Sequence, residues 1–163
     1  MQQVDKQKNY ELAEALLAEQ NFAAALIVGA IAMLLAATAY GLTTVVWPFS
    51  YGFAAAGIGI VIGFSMQYLG RGIQMRFAVA AALYTIAACV LGNVIRAILS
   101  AGRSPLHVIG SDDFAEYVQT GLAYVSFVDL VFWFVAIWFA IFLARRPLSR
   151  EEITAISLYE LKA

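Results

Sequence analysis

The sequence predicts an all-α, polytopic membrane protein: a bundle of four transmembrane helices with short amphipathic helices at its two ends. Of the 163 residues, 63% are hydrophobic and only 13% are charged, and the mean hydropathy is +0.80. A soluble domain is about 45–50% apolar with about a quarter of its residues charged. Four segments approach the length of about 20 apolar residues that crosses the hydrocarbon of a bilayer. The basic residues also cluster in the segments that four spans place on one side of a membrane.

The N-terminal arm, residues 1–21, is polar and predicts an amphipathic surface helix. Leu12, Leu16 and Leu17 share one helical face, and Asn9 is a candidate N-cap. The apolar run that follows this arm is much longer than the 7–15 residues of a signal peptide. We therefore expect a first span there, and not a cleaved leader. Such an arm anchors itself at the membrane interface or docks a partner, and the sequence favours anchoring.

The four predicted spans cover about residues 22–42, 51–69, 77–99 and 128–144. The first two carry no charge, the third contains Arg96 alone, and the fourth is shorter and rich in aromatic residues. Pro48 breaks the chain between the first two spans, and the turn GRGIQMR joins the second span to the third. An outer loop, residues 100–127, joins the third to the fourth, with Ser111 as the predicted cap of a short acidic helix.

The distribution of lysine and arginine predicts the orientation, because cytoplasmic loops carry the excess of these residues. Eight of the ten basic residues fall in the N-terminal arm, in the turn between spans two and three, and in the segment that begins with Arg145 and Arg146 after the fourth span. Both termini are therefore expected on the cytoplasmic side. The tail, residues 147–163, predicts a last helix, in which Ser149 and Glu152 form a capping box.

Small residues follow one face of the second span. Ala55, Gly59, Gly63 and Gly70 are spaced by four, four and seven residues, and helices in lipid approach each other closely at such residues. The face is either a dimer seam or a packing surface within the monomer, against the first or the third span. We favour packing within the monomer, and assign Gly92 of the third span the same role in helix packing.

Three polar residues form the candidate site: Asn93, Arg96 and Asp129. Spans three and four run in opposite directions, so Arg96, near the end of span three, is expected at the same depth as Asp129, near the start of span four. Asn93 is expected one turn deeper in the membrane. Arg96 and Asp129 form a direct pair, or Arg96 snorkels to the headgroups while Asp129 caps span four, or the residues bind a substrate or headgroup. The sequence leaves these alternatives open.

Several kinds of chemistry are not expected. The single histidine, His107, and the single cysteine, Cys89, make a metal site or a catalytic set of serine, histidine and carboxylate improbable. GRGIQMR follows an apolar helix and not a strand, so it is not a dinucleotide fingerprint. A net charge of −1 gives no basic patch for nucleic acid. We expect no enzyme activity and no cofactor.

Four stretches resemble a family of small four-span bacterial membrane proteins whose function is uncharacterised. They are EQNFAAALIVGAIAMLLAA, AAAGIGIVIGFSMQYLGRGIQMRFAVAAA, CVLGN and VDLVFWFVAIWFAIFLARR. The resemblance implies a bacterial inner membrane and four spans, and it supplies no activity.

These observations favour a non-enzymatic scaffold or accessory subunit of a membrane complex or homo-oligomer, with the lipid bilayer as its surroundings. The alternative is an oligomeric channel or small transporter, in which Asn93 and Arg96 lie near an outer mouth.

Overall fold

The computed structural model describes residues 2–47 and 51–160, which form eight α-helices and contain no strand. The all-α prediction is confirmed for this part of the chain. The predicted breaker Pro48 and the last three residues of the predicted tail helix lie outside the described residues. The helices are α1 (Gln2–Ala18), α2 (Phe22–Val46), α3 (Tyr51–Gly70), α4 (Met75–Ser100), α5 (Pro105–Val108), α6 (Phe114–Ala123), α7 (Phe127–Leu143) and α8 (Arg150–Glu160).

Three helices are long and apolar enough to cross a bilayer: α2, the Phe53–Gly70 part of α3, and α4. The fourth predicted span, α7, has 17 residues and meets the same length criterion only together with α6, from which it is bent by 96°. Helix α2 extends four residues beyond its predicted end at residue 42. The two threonines in this extension are accommodated because Thr43 and Thr44 donate their hydroxyls to the helix carbonyls of Ala39 and Gly41.

The bundle is built around α2, α3, α4 and α7. Helix α2 packs against α3 and α4, and α7 packs against α3 and α4 on the other side. The core is made of small residues and a few large ones, among them Ile62, Met66 and Phe77, which are fully buried. The alternating directions of these helices give the bundle two ends. We call the end that carries α1 and α8 the terminal end, and the end that carries α5 and α6 the loop end.

The predicted outer loop, residues 100–127, is largely helical. Helix α6 packs against α4 so closely that a Cβ atom added at Gly121 would lie 2.9 Å from the backbone nitrogen of Val94. The prediction of Ser111 as the cap of this helix is wrong. Asp113 occupies the N-cap position, and the Ser111 hydroxyl donates to the carbonyl of Val108 instead.

The two terminal helices pack against each other. Tyr10 and Tyr159 meet edge to face with their ring centroids 6.2 Å apart, and Ala13 and Ala155 are completely buried. The apolar faces therefore cover one another, and this pairing of the two ends was not predicted. The prediction of Asn9 as a cap is wrong, because α1 begins at Gln2.

Candidate functional site

The polar residues predicted from the sequence gather at the loop end of the bundle. Asn93 on α4 is 1% exposed and Asp129 on α7 is 8% exposed, while Arg96 is half-buried. The Asn93 amide donates to the carbonyl of Cys89, one turn earlier on the same helix, at 3.1 Å. Its Oδ1 atom is buried and has no hydrogen-bond partner within the described part of the chain. An unpaired buried acceptor is costly, and such an atom in a folded protein needs an explanation.

Asp129 serves as part of the cap of α7. Its carboxylate accepts the backbone N–H of Ser126 at 2.8 Å and the Ser126 hydroxyl at 2.7 Å. In return, the Asp129 backbone N–H donates to Oγ of Ser126 at 3.2 Å, which completes a capping box. The ion pairs found between described residues do not include one that joins Arg96 to Asp129. The structure therefore supports a capping role for Asp129, with Ser126 as the N-cap residue and Asp129 at the third helical position, and gives no support to the direct pair with Arg96.

Arg96 contacts the corner between α6 and α7. Its guanidinium carbon lies 5.0 Å from the centre of the Tyr124 ring, within the range of a cation–π interaction. Tyr124 follows the last residue of α6. This contact joins α4 to the corner at which the chain bends by 96°, and is worth about 0.5–1 kcal/mol at an exposed aromatic ring.

Two aromatic residues that the sequence analysis missed extend this group. Tyr40 on α2 is 2% exposed. Its hydroxyl lies near enough to Asp129 and Arg96 to interact with the charges of both side chains. Trp133 follows Asp129 by one helical turn, and its buried indole N–H lies beside the Tyr40 hydroxyl without a well-aligned hydrogen bond to it. The spacing of four residues between Asp129 and Trp133 was the available signal, since it places both on one face of a helix. We call Tyr40, Asn93, Arg96, Asp129 and Trp133 the loop-end cluster.

A second polar group, also missed, lies at the terminal end. Glu19 is placed between Arg71 at 3.7 Å and Arg146 at 3.6 Å, and Arg146 also pairs with Glu152 at 2.9 Å. The pKa of Glu152 is held below its ordinary value of 4.5, first by the backbone N–H of Ser149 and then by its hydroxyl and by Arg146. The predicted capping box of Ser149 and Glu152 is confirmed.

Backbone hydrogen bonds tie the same region together. The N–H of Asn21 donates to the carbonyl of Gly70, and the N–H of Arg146 to that of Gly72, both at 2.9 Å. The N–H of Ile73 donates to the side-chain oxygen of Gln20 at 3.3 Å. The turn between α3 and α4 therefore holds both the connection that enters α2 and the connection that leaves α7. We call residues 19–21, 70–73 and 145–146 the junction.

Gly59 and Gly63, the GxxxG pair of the predicted small-residue face, pack within the monomer against α7. A Cβ atom at Gly59 would lie 2.6 Å from the carbonyl carbon of Ala136, and one at Gly63 would lie 2.8 Å from Cβ of Leu143. The predicted neighbours, the first or the third span, are therefore wrong for these two glycines. The sequence could not distinguish these helices from α7, because spacing along one helix does not identify its partner.

The other small residues lie elsewhere in the core. Ala55 is 1% exposed. A Cβ atom at Gly70 would meet Ala25 of α2 and Phe77 of α4, and one at Gly92 would meet the Tyr40 ring of α2. These glycines allow α2 to approach both of its neighbours closely.

Within the described residues, no group of three or more His, Cys, Asp or Glu side chains is arranged to hold a metal ion. Both polar groups instead consist of caps, ion pairs and aromatic contacts that position helix ends. The resemblance to a four-span bacterial family stays a prediction. Comparisons of the chain with protein-family models, with curated proteins and with solved structures find no match.

Proposed function

We propose that this protein is a non-enzymatic integral membrane component that acts as a scaffold or accessory subunit, in a larger complex or as a homo-oligomer. In this proposal α2, α3, α4 and α7 span a bacterial inner membrane, and the terminal end lies in the cytoplasm. The excess of lysine and arginine at that end supports the orientation.

Helix α7 is the short member of this bundle. Its 17 residues extend about 25 Å, compared with about 30 Å of hydrocarbon. The corner between α6 and α7 then lies near the headgroups of the outer surface, where Arg96 and Tyr124 meet. The exposed rings of Phe134, Trp138 and Phe142 suit contact with lipid along the rest of the helix.

The observation that carries the proposal is the paired unit of α1 and α8, held to the bundle by the junction. The apolar faces of these helices cover each other, so they are not available to lie in the bilayer surface. Their outward side chains include Lys8, Glu11, Glu14 and Glu151, all exposed. A polar helical pair joined to the end of an apolar bundle through Glu19, Arg146 and Glu152 suits the docking of a water-soluble partner or domain.

The roles of the polar side chains also support a structural function. Ser126 and Asp129 form the capping box of α7, and Ser149 and Glu152 form that of α8. Arg146 of the junction pairs with Glu152 of α8 and with Glu19, so it links α8 to the start of α2.

The test is the composition of the protein after gentle extraction from its native membrane. We expect the wild type to elute in mild detergent with partner chains, or with further copies of itself, in a fixed stoichiometry by native mass spectrometry. Arg146→Gln removes both ion pairs of this arginine and should release the partners. The matched control is Arg103→Gln, which removes the ion pair with Asp113 at the loop end and should retain them. A wild-type protein that elutes as a single chain with no stoichiometric partner would contradict the proposal.

One observation favours the alternative of an oligomeric channel or small transporter. The acceptor Oδ1 of Asn93 is buried without a partner in the part of the chain that the structure describes, and a polar solute would satisfy it. Against it, Asn93 is only 1% exposed within one chain. Anion flux into proteoliposomes that Asn93→Ala abolishes would establish the alternative and overturn the scaffold.

A further inference from the structure

An open groove of about 590 Å³ lies at the terminal end, between α3, α7 and the start of α8. Its walls include Phe64 of α3 and Phe142 of α7, and Ile153 of α8 lies at its edge. Arg145 and Arg146 lie at its rim. A second groove of about 550 Å³ adjoins it, shares Gln67 and Arg146, and adds Arg71.

Two hydrogen bonds hold the backbone of Arg145 and Arg146 in place. The side-chain amide of Gln67 donates to the carbonyl of Arg145 at 3.1 Å, and the N–H of Arg146 donates to the carbonyl of Gly72 at 2.9 Å. The Arg145 side chain is therefore displayed from a fixed point of the backbone.

The charges at this rim do not balance. Arg71 and Arg146 both lie beside Glu19, and Arg146 also lies beside Glu152. Arg145 is exposed and makes no ion pair within 4 Å in the described part of the chain. Three guanidinium groups thus face two carboxylates, and the surplus positive charge belongs to Arg145.

The apolar wall continues from this charged rim along the bundle. Phe64 precedes the end of α3 at Gly70 by six residues, about 9 Å along the helix axis, and is 52% exposed. Phe142 precedes Arg145 by three residues and is 67% exposed. A cation thus stands at one end of an exposed apolar strip that is oriented along the helices.

We propose that this groove binds one anionic phospholipid, with its phosphate at Arg145 and an acyl chain along Phe64 and Phe142. The inference rests on the membrane placement proposed above, which puts the terminal end at the cytoplasmic headgroups. A single negative charge joined to a long apolar chain complements this arrangement, and the anionic lipids of the cytoplasmic leaflet attract basic residues near it.

The test is a lipid titration of the purified protein in a mild neutral detergent, followed by native mass spectrometry. We expect dioleoylphosphatidylglycerol to form a one-to-one adduct at lower concentration than dioleoylphosphatidylcholine. Arg145→Gln should weaken the phosphatidylglycerol adduct about fivefold, which corresponds to one arginine near an anionic headgroup. The control Arg150→Gln, whose arginine lies outside the groove, should leave it unchanged, and Phe142→Ala should weaken the adducts of both lipids.

The inference is overturned if Arg145→Gln binds phosphatidylglycerol as the wild type does, if Arg150→Gln weakens the binding equally, or if millimolar inorganic phosphate displaces the lipid. The last outcome indicates a soluble anion as the occupant. A dimer that excludes lipid from the groove also overturns it, in favour of a second copy. Thermal unfolding of each variant establishes that it is folded.

These outcomes are separate from those of the proposed function. The titration uses the isolated chain, so loss of lipid selectivity leaves the stoichiometry test of the scaffold intact. Release of the protein from native membranes by alkaline carbonate would instead refute the membrane placement itself.

Discussion

The contact of Gly59 with α7 gives the sharpest test of the packing. A Cβ atom added at this position would lie 2.6 Å from the carbonyl carbon of Ala136 and 2.9 Å from its Cα. Both atoms belong to the helix backbone, so no side-chain rotation removes the clash. The carbonyl oxygen of Ala136 lies closer still, and ordinary van der Waals contact begins at 3.4 Å, so α3 must move away from α7 locally by at least about 1 Å.

The cost of Gly59→Ala follows from that displacement. A gap of 0.5–1 Å forfeits about a quarter to a half of the dispersion energy of each affected contact, and overpacking of a core costs about 1–3 kcal/mol, occasionally more. The gain in helix propensity of alanine over glycine is about 1 kcal/mol and offsets a part of this. We expect a net loss of about 2 kcal/mol in the free energy of unfolding.

The chain offers matched controls on the same helix. A Cβ atom at Gly57 would meet nothing within 4 Å, and one at Gly63 would lie 2.8 Å from a side-chain atom of Leu143 and 3.2 Å from the Ala140 carbonyl oxygen. The alanine variants can be purified in dodecylmaltoside and unfolded by adding SDS, with circular dichroism recording the loss of helix. Their free energies of unfolding should then differ in a defined order. Gly57→Ala is expected to be as stable as the wild type or more so, Gly63→Ala intermediate, and Gly59→Ala least stable.

Equal stability of Gly59→Ala and Gly57→Ala would refute this reasoning, since it would mean that α3 and α7 do not touch at this position. If dilution to the monomer lowers the stability of the wild type, the small-residue face also forms a contact between two copies of the chain.

Three further predictions concern the ends of the bundle. Gly121→Ala should loosen α6 and raise the hydrogen-exchange rate of its amides, because the new Cβ would lie 2.9 Å from the α4 backbone. Gly110→Ala should leave that rate unchanged, because a Cβ there would meet nothing within 4 Å. Ser126→Ala and Asp129→Ala should each lower the free energy of unfolding by about 1 kcal/mol. The double variant should lose no more than either single variant, because both residues belong to one capping box, and additive losses would contradict this. The lowered pKa of Glu152 means that its carboxylate stabilises α8 above about pH 4.5 and that this contribution is lost as the pH falls further. Amide exchange in α8, corrected for its intrinsic rate, should rise below that pH, and Glu152→Gln should remove the dependence.

The long helices were the most predictable part of this protein. The predicted first, second and fourth spans begin within one residue of α2, α3 and α7, and the third begins within two residues of α4. Uninterrupted apolar runs carry that information locally. The capping box of Ser149 and Glu152 was predictable for the same reason, since the partners are three residues apart. The prediction for Ser111 failed because its hydroxyl found a preceding carbonyl instead.

The candidate site was predictable only in part. Asn93, Arg96 and Asp129 do lie at one end of the bundle, as their positions along antiparallel helices require. The capping partner of Asp129, Ser126, lies only three residues away, so this contact was within reach of the sequence although it was missed. The contact of Arg96 with Tyr124 was not predictable, because it joins residues far apart in the chain.

Hydropathy alone was enough to show that this chain is apolar and helical and where its long helices begin. Those properties depend on hydropathy and on hydrogen bonds between residues a few positions apart. The packing of the folded bundle was needed to establish that Gly59 faces α7, that α1 pairs with α8, and that one turn ties residues 19–21 and 145–146 to the bundle. Those contacts join residues far apart in the chain, and small residues are compatible with any neighbour until the packing of the whole bundle selects one.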